Sequence, residues 1–297
     1  MTEAELPSLL GSWEIYLRAE HKSPQTIKTY ADGMRAFLAW CERAGIEPVL
    51  DRPTVSKFTA GLLDAGAAPA TARARQLGVR RFSAWLADEG ETVRDNLLGI
   101  RPPKLDRANV PKLSPDELAA LIKACRGKTF MDRRDEAIVR LAVESAARAE
   151  EILAMNLADV DLSRGVATIR RGKGGRARRT PFGPVTAQAI DRYLRMRRAH
   201  RLAAADALWL GDRGKGFGYH GLRNALGRRA DGAGITGFHI HRLRHTAASR
   251  WLDAGGSEGG LMAIAGWRSR DMMARYVEDT AMDRAADESR RLGLGDL

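Results

Sequence analysis

The chain has 297 residues and a formal net charge of +12, from 49 lysines and arginines against 37 aspartates and glutamates. At about 150 residues per domain the length predicts two domains, and a hydrophobic content of 44% supplies both with apolar mass for a core. No run approaches about 18 uninterrupted apolar residues, which excludes a membrane-spanning helix. The acidic start Met1-Thr2-Glu3-Ala4-Glu5 lacks a signal-peptide core, so secretion is not expected. Two distant cysteines, Cys41 and Cys125, exclude a disulfide framework and a four-cysteine zinc site and fit a reducing, cytoplasmic setting.

The first hundred residues read as helical. Ser23-Pro24 is a start signal, with a hydroxyl cap before a proline at the first helical position. Ile27, Tyr30, Met34, Phe37, Leu38 and Cys41 then recur at helical spacing, and Gly45 closes the segment ahead of Pro48. Pro53 opens another helix with Val55, Phe58, Leu62 and Leu63 inward. After Gly66 and Pro69 a further helix turns Leu77, Phe82, Trp85 and Leu86 to a core, which leaves Arg73, Arg75, Arg80 and Arg81 for solvent or phosphate. The expected product is a helical bundle with one basic side, covering residues 1–100.

Residues 101–113 are proline-punctuated, basic and without periodicity, and read as a stiff linker. Ser114-Pro115-Asp116-Glu117 is a capping box that opens a second domain, 114–297. That domain is mostly helical by pattern, with one interruption. Val166 to Arg171 reads as a strand, Gly172-Lys173-Gly174-Gly175 as a turn, and Arg176 to Phe182 as the returning strand. Between Arg164 and Arg179 lie Arg164, Arg170, Arg171, Lys173, Arg176, Arg178 and Arg179 with no acid among them. Arg192, Arg195, Arg197, Arg198 and Arg201 extend the stripe. This distribution points to a polyanionic partner, nucleic acid first.

The residue types needed for metal-free cleavage of a phosphodiester occur in a suggestive order. Arginine neutralises phosphate oxygens through paired hydrogen bonds. Lysine or histidine moves protons, and tyrosine can attack phosphorus and store the bond as an ester. The chain offers Arg148 in Glu144-Ser145-Ala146-Ala147-Arg148, Lys173 at the ribbon tip, and the cluster His239, His241, Arg242, Arg244 and His245 at a helix start. Gly266-Trp267 follows, and Tyr276 lies nine positions later. Taken singly, each residue has a structural explanation. Tyr276 and Trp267 could be packing residues, and Lys173 could decorate a hairpin. His241 and His245 lie one helical turn apart, but no His-Glu-x-x-His pattern or cysteine set accompanies them, so neither a metal nor a cofactor is expected.

As a set, these segments resemble the tyrosine recombinases of the phage integrase family, in a compact Xer-like or minimal phage form without an arm-site-binding domain. The Ser23-Pro24-Gln25-Thr26 and Arg81-Phe82-Ser83-Ala84-Trp85-Leu86 helices resemble the family's core-binding (SAM-like) domain, and the rest resembles its catalytic domain. The resemblance implies a mainly α fold with a small β-hairpin or sheet: a helical core-binding domain plus a mixed α+β catalytic domain. It assigns catalysis to Arg148, Lys173, His241, Arg244, Trp267 and Tyr276, with Glu151 and His245 as supporting residues. Arg73, Arg75, Arg80, Arg81, Arg170, Arg171, Arg176 and Arg178 are the candidate DNA contacts. Ala146-Ala147 departs from the usual Thr-Gly-hydrophobic lead into the first arginine, Ile240 stands where proline is frequent, and Gly255 to Gly260 is unusually glycine-rich.

The implied activity is site-specific cleavage and rejoining of DNA through a 3′-phosphotyrosine, for integration, excision or resolution. The implied partners are double-stranded DNA with inverted half-sites and further copies of the chain. The C-terminal tail would link those copies from dimer to tetramer on DNA, and a recombination directionality factor is a further candidate. Alternatives are a DNA-binding or architectural protein without catalysis, a type IB-like relaxing enzyme, and a metal-dependent nuclease.

Overall fold

A computed structural model of the chain describes residues 5–105, 112–170, 177–267, 269, 273 and 281–293. The chain divides into two compact units, Met1–Ala108 and Asn109–Leu297.

Among the described residues the first unit has four helices: α1 (Glu5–Ala19), α2 (Pro24–Ala44), α3 (Arg52–Asp64) and α4 (Pro69–Asp88). Their ends follow from local chemistry. The Ser23 hydroxyl accepts the Thr26 N–H at 3.1 Å, and the Asp51 carboxylate accepts the Thr54 N–H at 2.8 Å. Gly45 closes α2 in the left-handed region at φ 62°, where a side chain would be strained. Trp13, Met34, Phe37, Phe58, Phe82 and Leu86 fill the interior. Trp13 and Phe82 meet edge to face at 5.1 Å, and Phe37 and Phe58 at 5.4 Å. Helices α2 and α4 touch backbone to backbone at Gly33 and Gly78; a Cβ on Gly78 would stand 2.5 Å from the Tyr30 carbonyl oxygen. Leu63, expected inward, is 37% exposed because it falls off the apolar stripe of α3 near that helix's end.

The second unit is mainly helical with one small sheet, as the expected fold class requires. Its elements are α5 (Pro115–Cys125), α6 (Phe130–Ser145), α7 (Ala149–Leu153), β1 (Val160–Asp161), β2 (Val166–Ile169), β3 (Arg178–Pro181), α8 (Pro184–Arg197), α9 (Tyr219–Gly232), α10 (His241–Asp253), α11 (Glu258–Ala265) and α12 (Ala281–Leu292). The Ser114–Glu117 capping box forms as expected, with bonds of 3.0 and 2.8 Å. The sheet is antiparallel in the order β1-β2-β3, with Ala167 opposite both Val160 and Thr180. β1 carries two residues, too few for a period-two signal in the sequence.

Helix α6 runs through the core, burying Ile138, Val139, Leu141 and Ala142 together with the charged Arg134, Asp135 and Glu136. Arg197, expected in the exposed basic stripe, is instead 3% exposed. Its guanidinium donates to the carbonyls of Leu208, Ala203, Ala205 and Ala207, and so ties the chain after α8 to the end of that helix. Among the described residues no helix is long and apolar enough to cross a membrane.

Candidate active site

The site is built around the turn between α6 and α7. Helix α6 ends on Ala146, whose φ of 48° is left-handed, and Arg148 is the N-cap residue of α7. This reversal turns the chain sharply and leaves the Arg148 side chain 22% exposed at the edge of the core. The short helix α7 is anchored from below, where the Trp209 indole donates to the Ile152 carbonyl at 2.9 Å.

Glu151 fixes the arginine. Its carboxylate accepts the Arg148 backbone N–H at 2.8 Å and the Arg148 Nη1 at 3.0 Å. It also accepts Arg178 Nη1 at 3.1 Å and Nη2 at 2.6 Å. Burial by itself would raise the carboxyl's pKa. The hydrogen bonds from Arg178 and Arg148, with their two positive charges, outweigh it and hold Glu151 below the usual carboxylate range.

Arg244 approaches the same turn from α10. It is 4% exposed, and it donates to the Ala146 carbonyl at 2.5 Å and the Ala265 carbonyl at 2.9 Å. The first of these bonds pins the second arginine two residues from Arg148. Its Cζ lies 5.4 Å from the centre of the Trp267 ring, and Trp267 packs in a cluster with Ala146, Ala247, Leu252, Leu261 and Met273. Gly266, left-handed at φ 67°, ends α11 and delivers Trp267 to that position.

His241 is the first residue of α10 and is exposed. Partial burial of its ring, then the charges of Arg244, His239 and Arg148, push its pKa below the ordinary histidine value. The two arginines and this histidine therefore share one electrostatic neighbourhood, in which the imidazole is kept neutral. The half-buried His245 ring stands edge to face with His241 at 5.0 Å and limits its rotation.

The structure thus brings together Arg148, Glu151, His241, Arg244, His245 and Trp267. Lys173 and Tyr276, with Arg171 and Arg176, lie outside the described residues. Among the described candidate DNA contacts, Arg73 and Arg81 are exposed and Arg75 and Arg80 half-buried, with Arg75 3.8 Å from Asp32. Arg170 is 60% exposed at its side chain and pairs with the buried Asp159. Arg178 is not an outward contact. Its side chain is 11% exposed, and it spends its donors on Glu151 and, through Nε at 2.7 Å, on the Ile264 carbonyl. Sequence reasoning missed this inward role, although a signal was present. Arg178 and Thr180 share one face of β3, and Thr180 is fully buried, while Arg179 and Pro181 face out. Among the described residues no three His, Cys, Asp or Glu side chains are grouped to hold a metal ion.

The model of the phage integrase family matches residues 111–282. The tyrosine recombinase XerC of Pseudomonas syringae pv. syringae is 28% identical over 299 residues, covering 97% of this chain and 98% of that protein. In structure, the Tn1549 transposon integrase in complex with transposon right end DNA superposes with a TM-score of 0.77 at 17% identity, covering 98% of this chain and 99% of the other. A lambda integrase tetramer bound to a Holliday junction gives a TM-score of 0.67 at 18% identity, covering 89% and 77%.

Proposed function

The chain belongs to the phage integrase family, the tyrosine recombinases that cut and rejoin DNA at specific sites, and from that premise we propose how its residues divide the work. The observation that carries the proposal is the convergence of Arg148 and Arg244 on one turn, with His241 in reach of both charges.

The Tyr276 oxygen forms a bond to phosphorus, and the bond from phosphorus to the 5′ oxygen breaks. An ordinary tyrosine has a pKa near 10, so only about one in a thousand is ionised at pH 7, a deficit of about 4 kcal/mol. Two guanidiniums beside the attacked phosphate offset that deficit by stabilising the charge that develops on its non-bridging oxygens. Arg148 and Arg244 fill this role because each is held by bonds that leave little rotational freedom. His241 takes the phenolic proton, which its depressed pKa allows at pH 7. Lys173 returns a proton to the leaving 5′ oxygen. Trp267 packs the floor under Arg244 and offers an indole N–H, but it exchanges no proton. The product is a 3′-phosphotyrosine and a free 5′ hydroxyl, which attacks the ester on another strand. The scheme uses side chains alone.

The partners proposed are a duplex with inverted half-sites and further copies of this chain, acting in the cytoplasm as a tetramer on DNA. The lambda integrase tetramer on a Holliday junction supports the assembly. In α12, Leu292 is 59% exposed and is an apolar residue that docking of the C-terminal tail onto a neighbouring copy would cover. Exposed Arg73 and Arg81 remain the best candidates for phosphate contacts in the first unit, and a directionality factor remains a candidate accessory partner.

The test is to select duplexes from a randomised pool with the protein, nick them near the centre, and look for a covalent adduct on a denaturing gel. Wild type forms the adduct with or without EDTA, and Tyr276→Phe loses it while retaining DNA binding. No adduct with wild type would favour a non-catalytic DNA-binding protein. Relaxation of supercoils without site preference or strand exchange would favour a type IB-like enzyme. Loss of cleavage in EDTA would favour a metal-dependent nuclease.

A further inference from the structure

We propose that Arg178 is a positioning residue for strand cleavage: from β3 it clamps Glu151 against Arg148 and ties that pair to the end of α11 that leads into Trp267. The inference rests on the cleavage reading above and adds a residue to it.

A carboxylate offers about four acceptor positions on its two oxygens. Glu151 fills all four. Oε1 receives Arg148 Nη1 at 3.0 Å and Arg178 Nη1 at 3.1 Å, and Oε2 receives the Arg148 backbone N–H at 2.8 Å and Arg178 Nη2 at 2.6 Å. The forked pair from Arg178 bonds both oxygens of the carboxylate and restrains its rotation, as a single bond does not. With that fork removed, Glu151 keeps one guanidinium contact and one backbone contact, both from the residue it is meant to orient. Nothing external then sets the angle at which Arg148 faces substrate.

The third donor of Arg178 extends the clamp. Nε bonds the Ile264 carbonyl at 2.7 Å, in the last turn of α11. The guanidinium also lies flat against Gly266, where a Cβ would come within 3.0 Å of Nη1. One side chain therefore joins three parts of the site: strand β3, the Arg148 turn, and the segment entering Trp267. A phosphate contact is not needed to account for this side chain: it is 11% exposed, and Nε and one donor on each terminal nitrogen go to Ile264 and Glu151. A purely structural role does not fit. Two of its three bonds converge on the one carboxylate that holds Arg148, whereas those of Arg197 all go to backbone carbonyls between Ala203 and Leu208.

The experiment measures single-turnover cleavage of the nicked duplex selected by the protein, for wild type, Arg178→Met and Arg178→Lys. In Arg178→Met the cleavage rate constant is expected to fall about ten- to a hundredfold, the usual size for loss of an orienting partner. Duplex affinity is expected to stay within about twofold, since Arg178 is not expected to touch DNA. Arg178→Lys, which keeps one charge and one donor direction, recovers part of the rate. Combining Arg178→Met with Glu151→Gln costs less than the product of the separate losses, because both act through Arg148. The lower acid limb of the cleavage–pH profile, which Glu151 sets beneath the limb set by His241, moves to higher pH in Arg178→Met, since Glu151 has lost the partner that keeps it ionised. A core variant of matched thermal stability leaves that limb in place.

Wild-type cleavage by Arg178→Met with weakened DNA affinity would overturn the proposal in favour of a phosphate contact. Fully multiplicative losses in the double variant, or an unshifted acid limb, would overturn it in favour of a structural role. If Arg178→Met does not fold, folded Arg178→Lys decides: wild-type cleavage with an unshifted acid limb overturns the proposal, and slowed cleavage with the shift sustains it. Absence of any adduct with wild type would bring down the cleavage reading itself.

Discussion

Among the described residues, the interior of the helical N-terminal unit contains no charge; its buried polar side chains are Thr59, Gln76 and Ser83. The C-terminal unit buries Arg134, Asp135, Glu136, Glu151, Asp159, Arg197, Arg242 and Arg244. A buried charge costs several kcal/mol of desolvation unless its partners are in place. The C-terminal unit supplies them individually. Arg134 forks onto Asp135 Oδ1 at 2.8 and 3.0 Å, donates to the Leu210 carbonyl at 3.1 Å, and lies 3.8 Å above the Phe217 ring. Arg242 bonds the carbonyls of Thr236 and Lys112 and both oxygens of Glu117. One unit is specified by volume and shape, the other by the directions of its hydrogen bonds. The second strategy suits a site that must hold guanidiniums at fixed angles before substrate arrives.

The largest expected effect sharpens that contrast. Arg134→Met, of similar length but without charge, strands buried acceptors on Asp135 and Leu210 and is expected to destabilise α6 by about 3–5 kcal/mol. Met34→Leu in the fully buried core of the first unit conserves volume and is expected to cost under about 1.5 kcal/mol. Amide hydrogen exchange in α6 and in α2 reads each effect locally. Equal costs would erase the distinction between the two interiors.

Shape also has strict points. Gly78→Ala places a methyl 2.5 Å from the Tyr30 carbonyl oxygen and 3.0 Å from the Gly33 Cα, both backbone atoms that cannot swing aside. The helices must separate, and the expected cost is toward the upper end of about 1–3 kcal/mol for overpacking. Faster exchange in both α2 and α4, with α6 unchanged, is the pattern to look for.

Among the groups through which acid acts on the C-terminal unit, two belong to the site. Glu151 ionises below its ordinary value of about 4.5, because Arg178 and Arg148 outweigh the effect of burial. Its stabilisation is fully present above that pH and is lost as pH falls through the lower folded value. His241 has a pKa depressed from 6.5 by partial burial and then by Arg244, His239 and Arg148. The unfolded chain therefore binds its proton first, and stability declines as pH falls below about 6.5 until the folded imidazole also protonates. Cleavage is expected to persist to below pH 6.5 before losing its proton acceptor. His241→Gln should reduce the first decline in a stability–pH titration, leaving the part that His239 contributes, and leave the second.

The two strategies also explain what was legible in the sequence. The caps at Ser23, Ser114 and Gly45 rest on local chemistry, and the stripe of Ile27, Met34, Phe37 and Cys41 rests on periodicity, so both could be read directly. The placement of Arg148, Arg244, His241 and Trp267 in one site followed from motif order, although their segments are far apart in sequence. Arg178 and Arg197 could not be told from their exposed neighbours by residue type. An arginine is internal when carbonyls and carboxylates from remote segments meet it, and residue type does not record that. For Arg178, the alternation with Thr180 along β3 was the one available clue.

Ala146→Gly is the smallest expected effect and bears on a departure from the family's usual lead into the first arginine. Ala146 holds φ 48°, a region that disfavours a Cβ by roughly 1–2 kcal/mol. Glycine would remove that strain. It would also give up one buried methyl, about 0.8 kcal/mol, and loosen the unfolded chain by about 0.4–1 kcal/mol. These terms nearly cancel, so the change in stability is expected to stay within about 1 kcal/mol of zero. The Ala146 carbonyl that receives Arg244 remains, so cleavage should be unaffected. A gain well above 1 kcal/mol would mean that the methyl contributes little to the Leu252–Leu261–Trp267 cluster and that the turn is held in place chiefly by the Arg244 bond.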